Sequence, residues 1–268
     1  MTKVGVTGAL GRMGSNIVQS TVESEDLDLE MAVEAPGQQK IGKDIGELLS
    51  LGKVGVELIS SKKLEEELTK TNLDVLIDFT VPKATLNFVE ICAKKNVDMV
   101  IGTTGFDDSQ ENRLEETIKG SNISAVISPN YSTGINVFWE LVRKAVDTLD
   151  YDAEIVEVHH NNKKDAPSGT AKKTAEIIRE VRGEGEFVMG RKGLSPRDQG
   201  EIGIHAVRAG DIIGDHTVYL SGNNSGERIE ITHRAQNRQP FINGALKSAG
   251  YVVKQKEGIF GMKDVLGL

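Results

Sequence analysis

The first thirty-four residues constrain the fold most. Lys3 to Thr7 is a short apolar strand, and Gly8-Ala9-Leu10-Gly11-Arg12-Met13-Gly14 is a glycine-rich turn. Ser15 to Glu23 reads as a helix with Ile17, Val18 and Val22 available to one face, and Asp28 to Val33 is a second strand that ends at Glu34. Strand, turn, helix and strand in that order form a βαβ unit.

The alternation continues. Asp74 to Phe79 is a strand that stops at Thr80-Val81-Pro82, and Lys83 to Lys94 is a helix carrying Leu86, Val89, Ile91 and Ala93. Asp98 to Ile101 is a strand ending in Gly102-Thr103-Thr104-Gly105, Ser109 to Lys119 is a polar helix, and Ser124 to Ile127 is a strand ending in Ser128-Pro129-Asn130-Tyr131. Strands alternating with helices predict a parallel sheet wound on both faces, whose ligands bind beyond the carboxyl ends of the strands. The glycine turn, Glu34, Phe79-Thr80, the Gly102–Gly105 turn and the Ser128–Tyr131 turn all fall at those ends. After about residue 130 the pattern changes. Helices are expected at Val137 to Leu149 and Lys172 to Val181, and a strand from Ala153 to His159. Further strands at Ile202 to Ala206, Ile212 to Leu220 and Arg228 to His233 follow one another, which predicts a mixed or antiparallel sheet. Asn243 to Val253 reads as a closing helix.

Composition narrows the function classes. With 38% hydrophobic and 27% charged residues, a globular chain with a proper core is expected. The net charge of −8 disfavours a general nucleic-acid binder, although a local basic pocket for an anionic substrate stays open. Cys92 is the one cysteine, so no intrachain disulfide forms; among Ile91 and Ala93 it reads as a buried structural thiol. No apolar run approaches the ~20 residues of a membrane span. No signal peptide precedes the strand at Lys3, so a cytoplasmic protein is expected.

Two segments carry chemistry. In Gly8-x-x-Gly11-x-x-Gly14 the first spacing departs from the common G-x-G-x-x-G fingerprint, but the physical logic survives. Glycine lets backbone approach a pyrophosphate, and the following helix N-terminus favours its charge. A purely structural turn is the competing reading. Arg12 offers a further phosphate donor. Glu34, twenty residues after Gly14, suits the ribose hydroxyls of an adenosine, or is a solvated loop carboxylate. Because Glu34 repels a 2′-phosphate and Ala35 follows it, NADH is favoured over NADPH, with Lys40 and Lys43 able to reverse that. Gly102-Thr103-Thr104-Gly105 suits close backbone contact with a flat ring or ribose. Ser128 to Tyr131 is either a hinge or a cofactor contact.

The second segment is Glu157-Val158-His159-His160-Asn161-Asn162-Lys163-Lys164-Asp165-Ala166-Pro167-Ser168-Gly169-Thr170. Histidine exchanges protons near neutral pH, lysine supplies charge and donors, and Ser168-Gly169-Thr170 presents N–H groups at a helix start where anions bind. His205, His216 and His233 are scattered without ligand spacing, so no metal site is expected.

Taken together, the Gly8–Gly14 turn with Arg12-Met13, Asp78-Phe79-Thr80-x-Pro82, Val100 to Phe106, and His159-His160-x-x-Lys163-x-Asp165 to Thr170 resemble the dihydrodipicolinate reductase family. Gly214 to Val218, Gly226-Glu227-Arg228, Thr232 to Ala235 and Met262 to Leu268 extend the resemblance to the last residue. It implies an α/β fold. A Rossmann-like parallel-sheet domain over 1–130 is completed by 241–268. An α+β domain with a mixed sheet over 131–240 serves substrate binding and tetramerisation. It implies NAD(P)H-dependent reduction of a cyclic unsaturated dicarboxylate in the diaminopimelate route to lysine. His159 is then proton donor or acceptor, and Lys163 a proton donor. His160, Ser168, Gly169 and Thr170 meet substrate. Gly8, Ala9, Leu10, Gly11, Arg12, Met13, Glu34, Gly102, Thr103, Thr104, Ser128, Pro129, Asn130 and Tyr131 match cofactor contacts. Lys164 falls at a variable position and carries no role. Two rival readings are another nicotinamide oxidoreductase on the same two-domain plan and a non-catalytic NAD-sensing module. The first need not combine paired histidines with an SGT turn; the second needs neither the histidines nor Lys163.

Overall fold

The computed structural model describes all residues from 1 to 268. The chain divides into two compact units. One comprises Met1–Tyr131 with Phe241–Gly267; the other comprises Ser132–Pro240 with Leu268.

In the first unit the elements run β1 (Thr2–Thr7), α1 (Gly14–Val22), β2 (Leu27–Glu34), α2 (Ile45–Leu48), β3 (Leu58–Ser60), α3 (Leu64–Lys70), β4 (Val75–Asp78), α4 (Pro82–Lys95), β5 (Asp98–Ile101), α5 (Asp108–Lys119) and β6 (Ser124–Ile127). The second unit contains α6 (Thr133–Thr148), β7 (Asp152–His159), α7 (Gly169–Arg182), β8 (Phe187–Met189), β9 (Ile202–Arg208), β10 (Gly214–Ser221) and β11 (Arg228–Ala235). The chain then closes with α8 (Gln239–Val252), β12 (Gly258–Phe260) and α9 (Met262–Leu266).

The first sheet has the order β12-β6-β5-β4-β1-β2-β3, and every pair in it is parallel. Its central strands are apolar on both faces: Val75, Leu76 and Ile77 of β4 are all fully buried. That is the signature of a sheet covered on both sides. One face packs Val4, Val6 and Ile77 against Ile17 and Val18 of α1 and Ala245, Ala249 and Val252 of α8. The other packs Leu76, Met99 and Ile101 against Leu64 and Leu68 of α3, Leu86 and Val89 of α4, and Leu114 and Ile118 of α5. The connection from β3 to β4 crosses to the far side of β1, so the strand order reverses beside β1 and β4. A crevice beyond the carboxyl ends of strands at such a reversal is where this fold binds nucleotides.

The second sheet, β11-β10-β7-β9-β8, is mixed: β10 is antiparallel to β7 and β11, while β7, β9 and β8 run parallel. Strand β7 alternates strictly, burying Ala153, Ile155, Glu157 and His159. Ala153 and Ile155 pack on Phe138, Trp139 and Val142 of α6 and Ala171, Ala175 and Ile178 of α7. Glu157 and His159 continue the same face, because alternate residues of a strand share a side.

Helix starts differ from the periodicity. The chain enters α7 at Gly169, ahead of the expected Lys172, because the Ser168 hydroxyl accepts the Ala171 N–H at 3.2 Å. It enters α6 at Thr133, ahead of Val137, because the Ser132 hydroxyl accepts the Ile135 N–H at 3.3 Å. Serine caps of this kind satisfy an N–H that the first turn leaves without a partner. The elements β3, β8 and β12, three residues each, are too short to show a period of two.

Candidate active site

The glycine turn joins β1 to α1. Gly8 has φ +58°, a left-handed conformation that side chains resist. The turn is tight: the Gly11 N–H donates to the Gly8 carbonyl at 2.8 Å, and a Cβ on Gly14 would sit 2.1 Å from that same oxygen. Ala9 is buried, with its N–H bonded to the Val33 carbonyl at 3.1 Å; Arg12 is exposed, and Met13 precedes the first turn of α1. Glu34 ends β2 and reaches back, its Oε2 accepting the Leu10 N–H at 3.0 Å and its Oε1 the Ala35 N–H at 2.9 Å. An acidic side chain is thus fixed beside the glycine turn, where this fold recognises a ribose. The cradle, the helix start and this carboxylate fit a dinucleotide.

The neighbouring loops are tied together through one buried carboxylate. Asp78, at the end of β4, is inaccessible to solvent. Its Oδ1 accepts the hydroxyls of Thr7 at 2.5 Å and Thr80 at 2.7 Å; its Oδ2 accepts those of Thr85 at 2.5 Å and Thr103 at 3.2 Å. The Thr80 N–H also donates to the Thr103 hydroxyl at 3.0 Å. Thr103 therefore points inward, whereas Thr104 is exposed. A Cβ on Gly102 would lie 2.0 Å from the Phe79 ring, so only glycine fits there. In the Ser128–Tyr131 turn, Pro129 is exposed and Ser128 and Asn130 are buried. The Tyr131 side chain is a core fastener: its hydroxyl lies 2.8 Å from the carbonyls of both Ile101 and Val126, and its ring packs on Phe79. Burial raises this phenol well above its ordinary range.

In the second unit the histidine segment gathers around Glu157. This carboxylate is inaccessible to solvent. Its Oε2 meets His159 Nδ1 at 2.5 Å and Arg208 Nη1 at 2.9 Å; its Oε1 accepts the Ser168 N–H at 3.0 Å and Arg208 Nη2 at 2.8 Å. Burial opposes ionisation of Glu157, but the bonds from His159, Arg208 and Ser168 outweigh it and bring the carboxyl down to about 2. Arg208 also donates to the Asp165 carbonyl at 2.7 Å, pinning the loop that carries Lys163. The ring of His159 lies edge-on to His216, with centroids 5.2 Å apart. Its Nε2 occupies the space that a Cβ on Gly214 would need, 2.9 Å away. His216 Nε2 is 3.2 Å from the Ser168 hydroxyl. Burial, reinforced by the charge of His159, pushes His216 down to about 3.

Lys163 and Lys164 separate here. Lys163 is half-buried and pairs with Asp165 at 2.8 Å; Lys164 is exposed. Burial works to raise the Asp165 carboxyl, but its bond to Lys163 and the lysine charge hold it below its ordinary value. His160 is half-buried, and its Nδ1 has no hydrogen-bond partner. Gly169 is exposed, and a Cβ there would touch nothing within 4 Å, so the N-terminus of α7 is open to an incoming group. His205 lies elsewhere, 2.7 Å from Glu154.

Glu157, Arg208, His216 and Asp78 received no role from the sequence. Glu157 was findable, because it stands two residues before His159 and so shares its face. Arg208 lies fifty-one residues from Glu157 and carries no local signal. A cavity of about 910 Å³ at the opposite ends of β1 and β2, lined by Met1, Thr2, Asp26, Leu27 and Lys254 among others, contains none of these residues. A smaller cleft of about 350 Å³ lies against Thr103, Thr104, Ser128 and Pro129.

A nucleotide fold of this strand order, on a chain whose other unit presents a buried histidine beside an open helix N-terminus, defines a dinucleotide-dependent oxidoreductase. Residues 2–131 match the family described as dihydrodipicolinate reductase, N-terminus, and residues 134–266 match dihydrodipicolinate reductase, C-terminus. The chain belongs to the dihydrodipicolinate reductase family. Among curated relatives it is 50% identical to a 4-hydroxy-tetrahydrodipicolinate reductase of Methanocaldococcus jannaschii, covering 100% of this chain and 98% of the relative. It is also 50% identical to one of Methanosarcina barkeri, covering 100% of both. Among solved structures it is similar to a dipicolinate-bound dihydrodipicolinate reductase from Paenisporosarcina sp. TG-14, with TM-score 0.76 and 30% identity over 98% of this chain and 99% of that one. An amine dehydrogenase of Mycobacterium smegmatis shares the fold alone, at TM-score 0.61 and 13% identity over 96% of this chain and 94% of that one. No helix is long and apolar enough to cross a membrane.

Proposed function

We propose that this protein reduces 4-hydroxy-tetrahydrodipicolinate, by way of dihydrodipicolinate, to tetrahydrodipicolinate in the diaminopimelate route to lysine. NADH or NADPH supplies the hydride. The observation that carries the proposal is a buried histidine joined, through one carboxylate, to the capped N-terminus of α7. Reduction of a conjugated ring double bond requires a hydride and a proton. A proton donor held beside an anion seat is what a cyclic dicarboxylate needs.

Gly8 to Met13, Glu34, Gly102 to Thr104 and Ser128 to Tyr131 would hold the dinucleotide, with Arg12 exposed as a phosphate donor and Tyr131 contributing backbone only. His159 gives its proton from Nε2, since Nδ1 is engaged by Glu157. Lys163 stands by as a second donor and a positive charge. The N–H groups of Gly169 and Thr170, at the positive end of the α7 dipole, receive one substrate carboxylate. His160 adds a donor at its edge. Positioned proton transfer of this kind contributes about 10²–10⁴-fold in rate. The reaction is tested by following oxidation of NADH and NADPH with enzymatically generated substrate; failure of both to be consumed would refute the proposal.

NADH binds at least as tightly as NADPH in this reading, because Glu34 would face a 2′-phosphate and Ala35 offers it no charge. Dissociation constants for both at one salt concentration decide it. A strong NADPH preference would transfer the role to the exposed Lys40 or Lys43. The working form is proposed to be a homotetramer. Helices α6 and α7 cover one face of the second sheet, while Val207 on the other face remains 42% exposed. Sedimentation as a monomer at micromolar concentration would rule this out. A cytoplasmic location goes with the biosynthetic role.

A further inference from the structure

We propose that Glu157 is the positioning residue for the proton transfer: it fixes His159 with a proton on Nδ1, leaving Nε2 as the exchanging atom, and holds the anion seat in register with it. The proposal rests on the reading of His159 as the proton donor.

Glu157 is acceptor-only when ionised, and all four of its contacts come from donors or from an imidazole nitrogen that can become one. The Ser168 N–H and the two Arg208 nitrogens can only donate. The remaining contact, His159 Nδ1 at 2.5 Å, therefore carries the hydrogen. Nδ1 thus bears the proton in both charge states of the ring, and the one that comes and goes is on Nε2. The same carboxylate accepts the N–H of Ser168, the residue that caps α7. One side chain therefore aligns the acid with the helix start. Arg208 contributes twice, neutralising Glu157 and tethering the Asp165 carbonyl beside Lys163. Gly214 leaves the room that the Nε2 edge occupies.

Glu157→Gln separates these functions. The Ser168 N–H cannot become an acceptor, so the amide oxygen must stay on that side, keeping Arg208 Nη2, while the amide NH₂ faces His159 at the cost of the Arg208 Nη1 bond. A neutral imidazole can adapt, accepting at Nδ1 and moving its hydrogen to Nε2. The α7 start is then preserved while the tautomer is reversed.

The test is ¹⁵N-detected NMR of the histidine side chains across a pH series, on the full chain, with steady-state kinetics. The chain has five histidines, and His159 is assigned by its loss in His159→Gln. The expected result is an Nδ1–H tautomer for neutral His159 in the wild type and an Nε2–H tautomer in Glu157→Gln. Turnover should fall by about 10²-fold or more, as loss of a correctly presented proton predicts. The KM for substrate and the affinity for NADH should stay within about twofold, because the interactions removed act in the transition state. An Nε2–H tautomer in the wild type overturns the proposal and needs no variant to fold. An unchanged tautomer in Glu157→Gln, or turnover within about threefold of wild type, overturns it equally. Full turnover in His159→Gln would instead refute the proton-donor reading, leaving the tautomer result to judge Glu157 separately.

Discussion

Asp78→Asn tests whether one buried carboxylate holds the cofactor loops in place. Each oxygen of Asp78 accepts two threonine hydroxyls, so replacing either by NH₂ deprives two hydroxyls of an acceptor. On the Oδ1 side Thr7 can turn to the Ile77 carbonyl, 3.3 Å away, and Thr80 is stranded. On the Oδ2 side Thr85 can turn to the Val81 carbonyl at 3.2 Å and Thr103 to the Thr85 hydroxyl at 2.9 Å, so the amide NH₂ belongs there. Every hydroxyl then keeps an acceptor, and the cost is the charge assistance that the bonds from Thr7 and Thr80 lose, about 1 kcal/mol each. We expect a loss of about 1–3 kcal/mol. Thr85→Val, which removes a single donor, should cost about 1 kcal/mol. Urea unfolding measures both, read as a lower midpoint at constant slope. Because the Thr80 N–H and Thr103 hydroxyl link two of the loops, the NADH dissociation constant in Asp78→Asn should rise about tenfold, equivalent to about 1.4 kcal/mol. A stability change below about 0.5 kcal/mol would show that the network is incidental to the fold and would refute the reasoning.

His159→Gln and Lys163→Ala should each raise the barrier by about 3–5 kcal/mol. The exposed Lys164→Ala should do far less, mainly through KM; NADH affinity should hold in all three. Steady-state kinetics with a cofactor titration reads this, and a larger loss in Lys164→Ala would make Lys164 the donor. Stability should depend on pH through His216, which burial lowers from 6.5 to about 3. The unfolded chain takes up this proton below pH 6.5 and the folded one only near pH 3. Its contribution is therefore complete above pH 6.5 and declines as the pH falls through that window, by about 1.4 kcal/mol per pH unit. Asp98, raised by burial to about 6, acts with the opposite sign between 3.8 and 6. The quantity to measure is therefore the wild-type minus His216→Asn difference in urea stability, and a pH-independent difference would refute the assignment.

Much of this protein is local in its sequence. The βαβ start, the glycine turn and Glu34 are set by strand periodicity, by backbone freedom at Gly8 and by a fixed spacing along consecutive residues. The same is true of His159, Lys163 and Ser168, which lie within ten positions of one another, and the mixed second sheet is announced by strands in succession. The short strands β3, β8 and β12 escaped because they gain their partners from the sheet and have no period of their own. Which residues serve the reactive ones was decided by the tertiary structure. Asp78 reaches Thr7 across seventy-one residues and Thr103 across twenty-five; Glu157 reaches Arg208 across fifty-one. Lys163 and Lys164 are chemically alike in sequence, yet only the fold half-buries one beside Asp165 and leaves its neighbour in water. Tyr131 likewise stands in a cofactor-loop motif while its hydroxyl fastens the core. The physical reason is common to all of them. A carboxylate inside a protein must collect its donors from wherever the chain brings them, because burial without partners costs more than a small domain can sustain. Those partners are fixed by strand order and register, which no stretch of neighbouring residues specifies alone.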